Sequence, residues 1–393
     1  MSLHKMNNTT DYFKIDDLLS EEHLIIRQSV RDFVDKEIKP IIDECAHEHK
    51  DVPDLMKKLG AIGALGPYIP EEYGGAGLDQ MSYGIIMQEL ERGDSAVRSA
   101  ASVQSSLVMY PIFTYGSEEQ KQKFLPLLAS GEFIGSFGLT EPNHGSNPGG
   151  METRLTKDGE HYRLNGAKMW ITNAPVCDIA VVWAKDDEGK IRGVIVERAM
   201  EGLSTPETMN KWSLRASKTG ELVFDNILIK EENILPGVQS LRGPLSCLNS
   251  ARYGISWGVV GAAIDCYETA LKYSLERTQF GKPIASYQLQ QKKLAEFITE
   301  ITKAQLMVWR LGMLKNENKA TPEQISMAKR NNVRMAIDIA RESRQIIGAM
   351  GIIGDFPNMR HAANLESVIT YEGTHDVHLL ITGADITGIN AFV

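Results

Sequence analysis

A few side chains in this sequence have the types and spacings that could do chemistry. His375, Asp376 and His378 lie together in YEGTHDVH, and two imidazoles three residues apart share one helical face, as metal ligands do. No H-E-x-x-H frame or further ligand pair accompanies them, so capping or hydrogen bonding is the stronger reading and no metal is assigned. His47 and His49 flank Glu48 in a polar stretch that reads as a solvated loop or helix end. Gly145, Gly149 and Gly150 lie in TEPNHGSNPGG. Small residues there let a backbone approach a flat or charged ligand, although the same cluster also reads as a plain turn. Arg98 sits in the small-residue stretch SAVRSAAS, either facing solvent or buried as a cation with a task. By residue type alone, Glu372 is a surface carboxylate near a helix start.

Nucleotide signatures are missing. No G-x-x-x-x-G-K-[ST] loop is present, and Gly348, Gly351 and Gly354 are spaced by three after a helical stretch, not after a strand. A Rossmann-type nicotinamide site therefore has no support. At 393 residues the chain is too long for one ordinary core. Its 42% hydrophobic and 24% charged content suits a globular enzyme. A net charge of -9 repels phosphate backbones, so no nucleic-acid partner is expected. No apolar stretch approaches the roughly 20 residues of a membrane span. The start, MSLHKMNNTTDYFKID, shows neither an apolar nor an Arg-rich targeting pattern, so a cytoplasmic location is expected. Cys45, Cys177, Cys247 and Cys266 form no C-x-x-C pair and read as reduced thiols.

The elements that must position these residues fall into three blocks. Residues 1–135 read as a helical domain. Ser20 is an N-cap followed by Glu21 and Glu22, and Ser117 with Gln120 makes a capping-box pattern. Gly131 is a stop, and Pro126 bends or shortens the helix before it. Residues 136–242 change to strand-like runs, with turns at Asp158–Gly159 and Glu188–Gly189. The run Leu222–Ile229 is broken by Asp225–Asn226. Residues 243–393 return to helical patterns over Tyr253–Glu276, Gln288–Leu314 and Pro322–Met350, long enough for a bundle. The fold class is α+β, with helices and strands segregated.

Four segments, in this order, carry a resemblance: FGLTEPNHGSNPGG (137–150), KMWITN (168–173), ERTQFGKPI (276–284) and YEGTHDVH (371–378). Together they resemble the acyl-CoA dehydrogenase family over essentially the whole chain. RSAASVQSSL, SLRASKTG, CLNSARYGISWG and EGTHDVH resemble its glutaryl-CoA branch. The resemblance implies an N-terminal helical domain, a central β-barrel and a C-terminal helical bundle. It also implies FAD between barrel and bundle, a homotetramer whose subunits complete each other's flavin sites, and electron-transfer flavoprotein as acceptor.

Residue by residue, the resemblance makes Glu372 the catalytic base and Gly373 a Cβ-free position with room for the thioester. Phe137, Leu139, Thr140, Gly145 and Ser146 match positions near flavin and acyl-CoA. Trp170, Ile171 and Thr172 match a flavin-facing strand, against an alternative in which Trp170 is β-domain core. Arg277, Phe280, Gln288, Gln345 and Gly348 match positions holding the dinucleotide part of FAD. Thr374 and Asp376 match further FAD contacts. Leu245, Asn249 and Arg252 match the CoA and catalytic region. Arg98 would pair with the distal carboxylate of a glutaryl chain, with Ser99 adding a donor and Glu91 orienting it. Tyr371 is the aromatic of decarboxylating members. Two departures stand out: Asn147 where Asp is usual, and Ala349 where a second Gly is common. The implied reaction is oxidation of glutaryl-CoA and loss of carbon dioxide to give crotonyl-CoA. The alternatives are a non-decarboxylating relative, a dehydrogenase of another short or branched acyl-CoA, and a non-catalytic FAD- or CoA-binding factor.

Overall fold

In the computed structural model, which describes residues 10–392, the local signals of the sequence become element ends. Helices α1 (Glu21–Phe33), α2 (Ile42–Glu48), α3 (Leu55–Ala61), α4 (Gln80–Gly93), α5 (Ser95–Ser102), α6 (Tyr110–Tyr115) and α7 (Glu118–Ala129) come first. Ser20 caps α1, its hydroxyl accepting the His23 N–H while the His23 ring accepts the Ser20 N–H. Ser117 and Gln120 close the same reciprocal box on α7. That helix runs through Pro126 to Ala129, and Gly131 beyond it takes φ 72°.

Strands β1 (Gly135–Gly138), β2 (Arg154–Asp158), β3 (His161–Thr172), β4 (Ile179–Asp186), β5 (Ile191–Glu197), β6 (Leu203–Ser204) and β7 (Thr219–Ile229) form one curled sheet. Its order is β1-β4-β2-β3-β7-β6, with β5 on β4. Asp158–Gly159 turns β2 into β3, and Glu188–Gly189 turns β4 into β5. Alternation along β4 divides two cores. Val181 and Trp183 pack with Leu107, Phe124 and Leu128 of the helical block, whereas Ala180 and Val182 pack with Leu164, Leu222 and Phe224 inside the curl. Contrary to the sequence expectation, Asp225–Asn226 does not break β7. The strand continues, Asn226 takes φ 54°, and the pairing with β3 slips at Leu164/Gly166. A bulge absorbs the polar pair where a break was expected.

Helix α8 (Arg242–Glu276) leads through a hairpin, β8 (Thr278–Gln279) and β9 (Lys282–Pro283), to α9 (Gln288–Asn316), α10 (Pro322–Ile347), α11 (Asn358–Val368) and α12 (His375–Thr387). Helix α8 starts earlier than Tyr253, because Pro244 in a first turn costs no hydrogen bond. Helix α10 ends at Ile347, short of Met350, where Gly348 takes φ 70°. Glycines let α4 and α8 meet closely. A Cβ at Gly261 would stand 1.9 Å from the Gln88 carbonyl oxygen, and one at Gly258 would stand 2.2 Å from Glu91 Oε2. Among the described residues no helix is long and apolar enough to cross a membrane.

Candidate active site

Tyr371, Glu372 and Gly373 form the turn between α11 and α12. Glu372 holds φ 52° and Gly373 φ 98°, both in the left-handed region. A non-glycine residue there is strained, so something must hold it. Three consecutive carbonyls are held by cations. Lys329 Nζ donates to the Tyr371 oxygen (2.9 Å) and the Gly373 oxygen (2.7 Å). Arg252 Nε donates to the Glu372 oxygen (2.7 Å). Thr374 Oγ1 then accepts the Val377 N–H and starts α12. Asp376, in the first turn of α12, is exposed.

The Glu372 carboxyl is thereby left for chemistry. Its Oε2 is buried without a hydrogen-bond partner among the described residues. Burial raises its pKa above the usual carboxylate value, against the pull of Arg98, Lys329 and Arg252. Gly373 is also fixed by the protein around it. A Cβ there would stand 2.9 Å from His378 Nε2 and 3.2 Å from Arg252 Nη2, so the turn itself has no room for a side chain. His378 is buried with both ring nitrogens unpartnered, and burial holds it far below its usual pKa. Burial and the nearby Lys329 lower His375 to about 4. Among the described residues no His, Cys, Asp or Glu cluster is placed to hold a metal.

Arg98 on α5 is wholly buried, at 0% exposure. Glu91 on α4 accepts from its Nε at 2.6 Å, and Ser95 Oγ donates to the other Glu91 oxygen at 2.7 Å. Arg98 Nη2 donates to the Tyr371 hydroxyl, which ties the guanidinium to the segment bearing Glu372. Its Nη1 is buried with no partner among the described residues. Burial alone would weaken the cation, but Glu91 more than offsets this and the guanidinium stays charged. Ser99, next along α5, is buried too. Leu245, Asn249 and Arg252 follow one face of α8, and Arg252 Nη1 donates to Asn249 Oδ1 at 3.3 Å. A solvent-facing Arg98 is thus excluded.

The flavin candidates divide. Phe137 is buried edge-on against Trp183, and Leu139 and Ile171 are also core. Thr140 accepts the Met169 N–H through its carbonyl at 2.9 Å, and Thr172 is half-buried. Trp170 is not core: it takes φ 62° at a register slip between Lys168 and Ile171 and is 59% exposed. Gly145, Ser146 and Asn147 lie on an exposed loop, with no atom within 4 Å of a Cβ at Gly145. Elsewhere, Arg277, Phe280, Gln288, Gly348 and Ala349 line a cleft of about 960 Å³. Phe280 takes φ 52° there and is 93% exposed. Gln345 lies alongside, accepting from Lys293 Nζ at 3.3 Å. No residue of the Glu372 group lines this cleft.

Residues 20–132 match the acyl-CoA dehydrogenase N-terminal domain, 136–227 the middle domain and 242–387 the C-terminal domain. The chain belongs to the acyl-CoA dehydrogenase family. A glutaryl-CoA dehydrogenase from Mycobacterium smegmatis, solved in complex with FADH2, superposes with a TM-score of 0.95 at 48% identity. That match covers 97% of this chain and 98% of the other. The glutaryl-CoA dehydrogenase of Desulfococcus multivorans is 35% identical, over 94% of this chain and 98% of its own. The mitochondrial short-chain specific acyl-CoA dehydrogenase of Bos taurus is 34% identical, over 94% and 90%.

Sequence reasoning about this acyl-CoA dehydrogenase missed two buried lysines. Lys329 falls on the buried face of α10, among the apolar Ile325, Ala328 and Val333, and a lysine at such a position was the available signal. Lys168 is 2.8 Å from Glu141 across the base of the 140–153 loop. Glu141 also accepts the N–H groups of Glu152 (2.5 Å) and Thr153 (3.0 Å), so it pins both ends of that loop. Burial would raise the Glu141 pKa, but these donors and Lys168 bring it down to about 2. A depressed carboxylate adds stability above its unfolded pKa and loses it as pH falls through the folded one. As pH falls from about 4.5 toward 2 the chain should lose stability at this site. Glu141→Gln should therefore be less stable than the parent at pH 7, with the gap closing toward pH 2 in denaturant titrations. An equal gap at both pH values would remove this role.

Proposed function

We propose that this chain is an FAD enzyme that oxidises glutaryl-CoA, releases carbon dioxide to give crotonyl-CoA, and passes electrons to electron-transfer flavoprotein. The observation that carries the substrate is Arg98: a buried guanidinium whose Glu91 and Tyr371 contacts leave Nη1 free. A distal carboxylate taken from water into this site needs such a partner.

The residues present fit FAD. Trp170 and Thr172, with the open Gly145–Ser146 loop, offer a surface to the flavin ring. The Arg277, Phe280, Gln288 and Gly348 cleft offers a cation and open backbone to the pyrophosphate and adenosine. That cleft is separate from Glu372, which suits a homotetramer in which it serves a neighbouring subunit's flavin. FAD, when bound, supplies the hydride acceptor.

The chain's own residues do the rest. Glu372 takes the proton from the carbon next to the thioester. Arg98 holds the far carboxylate and so fixes which carbons lie at the base. Ser99 adds a hydroxyl beside it. Asn249, Arg252 and Leu245 border the path of the CoA chain. After carbon dioxide leaves, protonated Glu372 returns its proton to the remaining dienolate, and crotonyl-CoA results.

Initial rates with glutaryl-CoA and butyryl-CoA test the substrate, and labelled carbon dioxide tests the second step. Glutaryl-CoA should be the better substrate and should release label. Faster butyryl-CoA turnover would place the chain with the short-chain enzymes. Glutaconyl-CoA without label would remove decarboxylation.

A further inference from the structure

Lys329 is 0% exposed, and none of its hydrogen bonds reaches a carboxylate. Its partners are the carbonyls of Tyr371 and Gly373, on either side of Glu372. Neutral donors could satisfy two carbonyls. Burying an ammonium for that purpose alone is costly, because a charge loses its hydration and gains no counter-ion in direct contact. The charge must act on something, and the carboxyl between those carbonyls is Glu372. We propose that Lys329 is a positioning residue for the base: it fixes the left-handed Glu372 turn and supplies the positive charge that keeps the carboxyl ionised for proton abstraction.

Arg98 and Arg252 also favour the ionised Glu372 carboxyl, Arg98 most of the three, but each has partners of its own, whereas Lys329 touches only the carbonyls beside Glu372. Arg98, from α5, is paired with Glu91 of α4 and bound to Tyr371. Arg252, from α8, is spent on the Glu372 carbonyl and Asn249. Tyr83 of α4 and Tyr371 are neutral, both raised by burial. His375 and His378 of α12 are neutral, lowered by burial and by Lys329 itself. Arg330 and Arg334 of α10 act on His375. Burial brings the Lys329 ammonium down to about 7, while Glu372 draws it back up, so each group supports the charge of the other.

The proposal rests on reading Glu372 as the base, and its test is independent of turnover. The holoenzyme, without thioester, is titrated while the infrared band of the protonated Glu372 carboxyl is followed, identified as the band absent from Glu372→Gln. Lys329→Met and Lys329→Gln should each raise the midpoint by about one pH unit, at the low end of what an adjacent opposite charge does. In both, kcat with glutaryl-CoA should fall about tenfold or more and its acid limb should move up, with KM within about twofold. Gln keeps a donor for the carbonyls, so a midpoint unmoved in Lys329→Gln means the residue is only a clamp and overturns the proposal. If Lys329→Met fails to fold, Lys329→Gln decides alone. A parent flavin that no acyl-CoA bleaches would overturn it separately, by removing the role of Glu372 while leaving the midpoint shift in place.

Discussion

Glu372→Gln is expected to slow flavin reduction by glutaryl-CoA roughly 10⁴-fold, the upper end of what a positioned base contributes. The substitution is nearly isosteric. The contacts that shape the turn are made to backbone carbonyls by Lys329 and Arg252, so they survive it. Thioester binding should therefore change by no more than a fewfold. The loss is confined to proton removal, where no neighbour can substitute. His378 is buried and held neutral, but it lies behind Gly373 and contributes no hydrogen bond toward the carboxyl. Stopped-flow absorbance of the flavin reads this directly. A loss under about tenfold would mean that some other group takes the proton.

Arg98→Met should lower kcat/KM for glutaryl-CoA by about 10²–10⁴ while changing butyryl-CoA by less than about tenfold. Leaving one member of a buried ion pair without its partner costs about 3–5 kcal/mol, and each 1.36 kcal/mol is tenfold in rate. The same substitution strands Glu91, whose carboxylate would keep only Ser95. The single variant should therefore lose stability as well. Glu91→Gln/Arg98→Met relieves that charge and is the cleaner comparison. Competition between the two thioesters, at one temperature and one salt concentration, measures the preference. Equal losses on both would remove Arg98 as an anchor.

What was legible in the sequence was decided within a few residues. The Ser117/Gln120 box, the Asp158–Gly159 hairpin and the Gly131 stop each depend on neighbours in the chain, and each forms. What was not legible depends on distant partners. Residue type alone makes Glu372 a surface carboxylate, and the family resemblance carried its role. Its burial comes from α5, α8 and α10 converging on one turn. Arg98 meets Tyr371 across 273 positions, and Lys329 meets Gly373 across 44. Gly258 looks like a helix-weakening residue until Glu91 stands against it. Trp170 could equally have been core, and only the slip in β3 pairing turns it outward. The Asp225–Asn226 pair looked like a break in the strand because a bulge uses the residue types that usually end one.

The most direct measurement is the visible spectrum of the purified protein under anaerobic conditions, before and after glutaryl-CoA, in the parent and in Glu372→Gln. The parent should be yellow and bleach within its first turnover, and the variant should be yellow, bind the thioester and keep its colour over the same interval. Equal bleaching of the two, or a parent that glutaryl-CoA leaves unchanged, would contradict the proposed function.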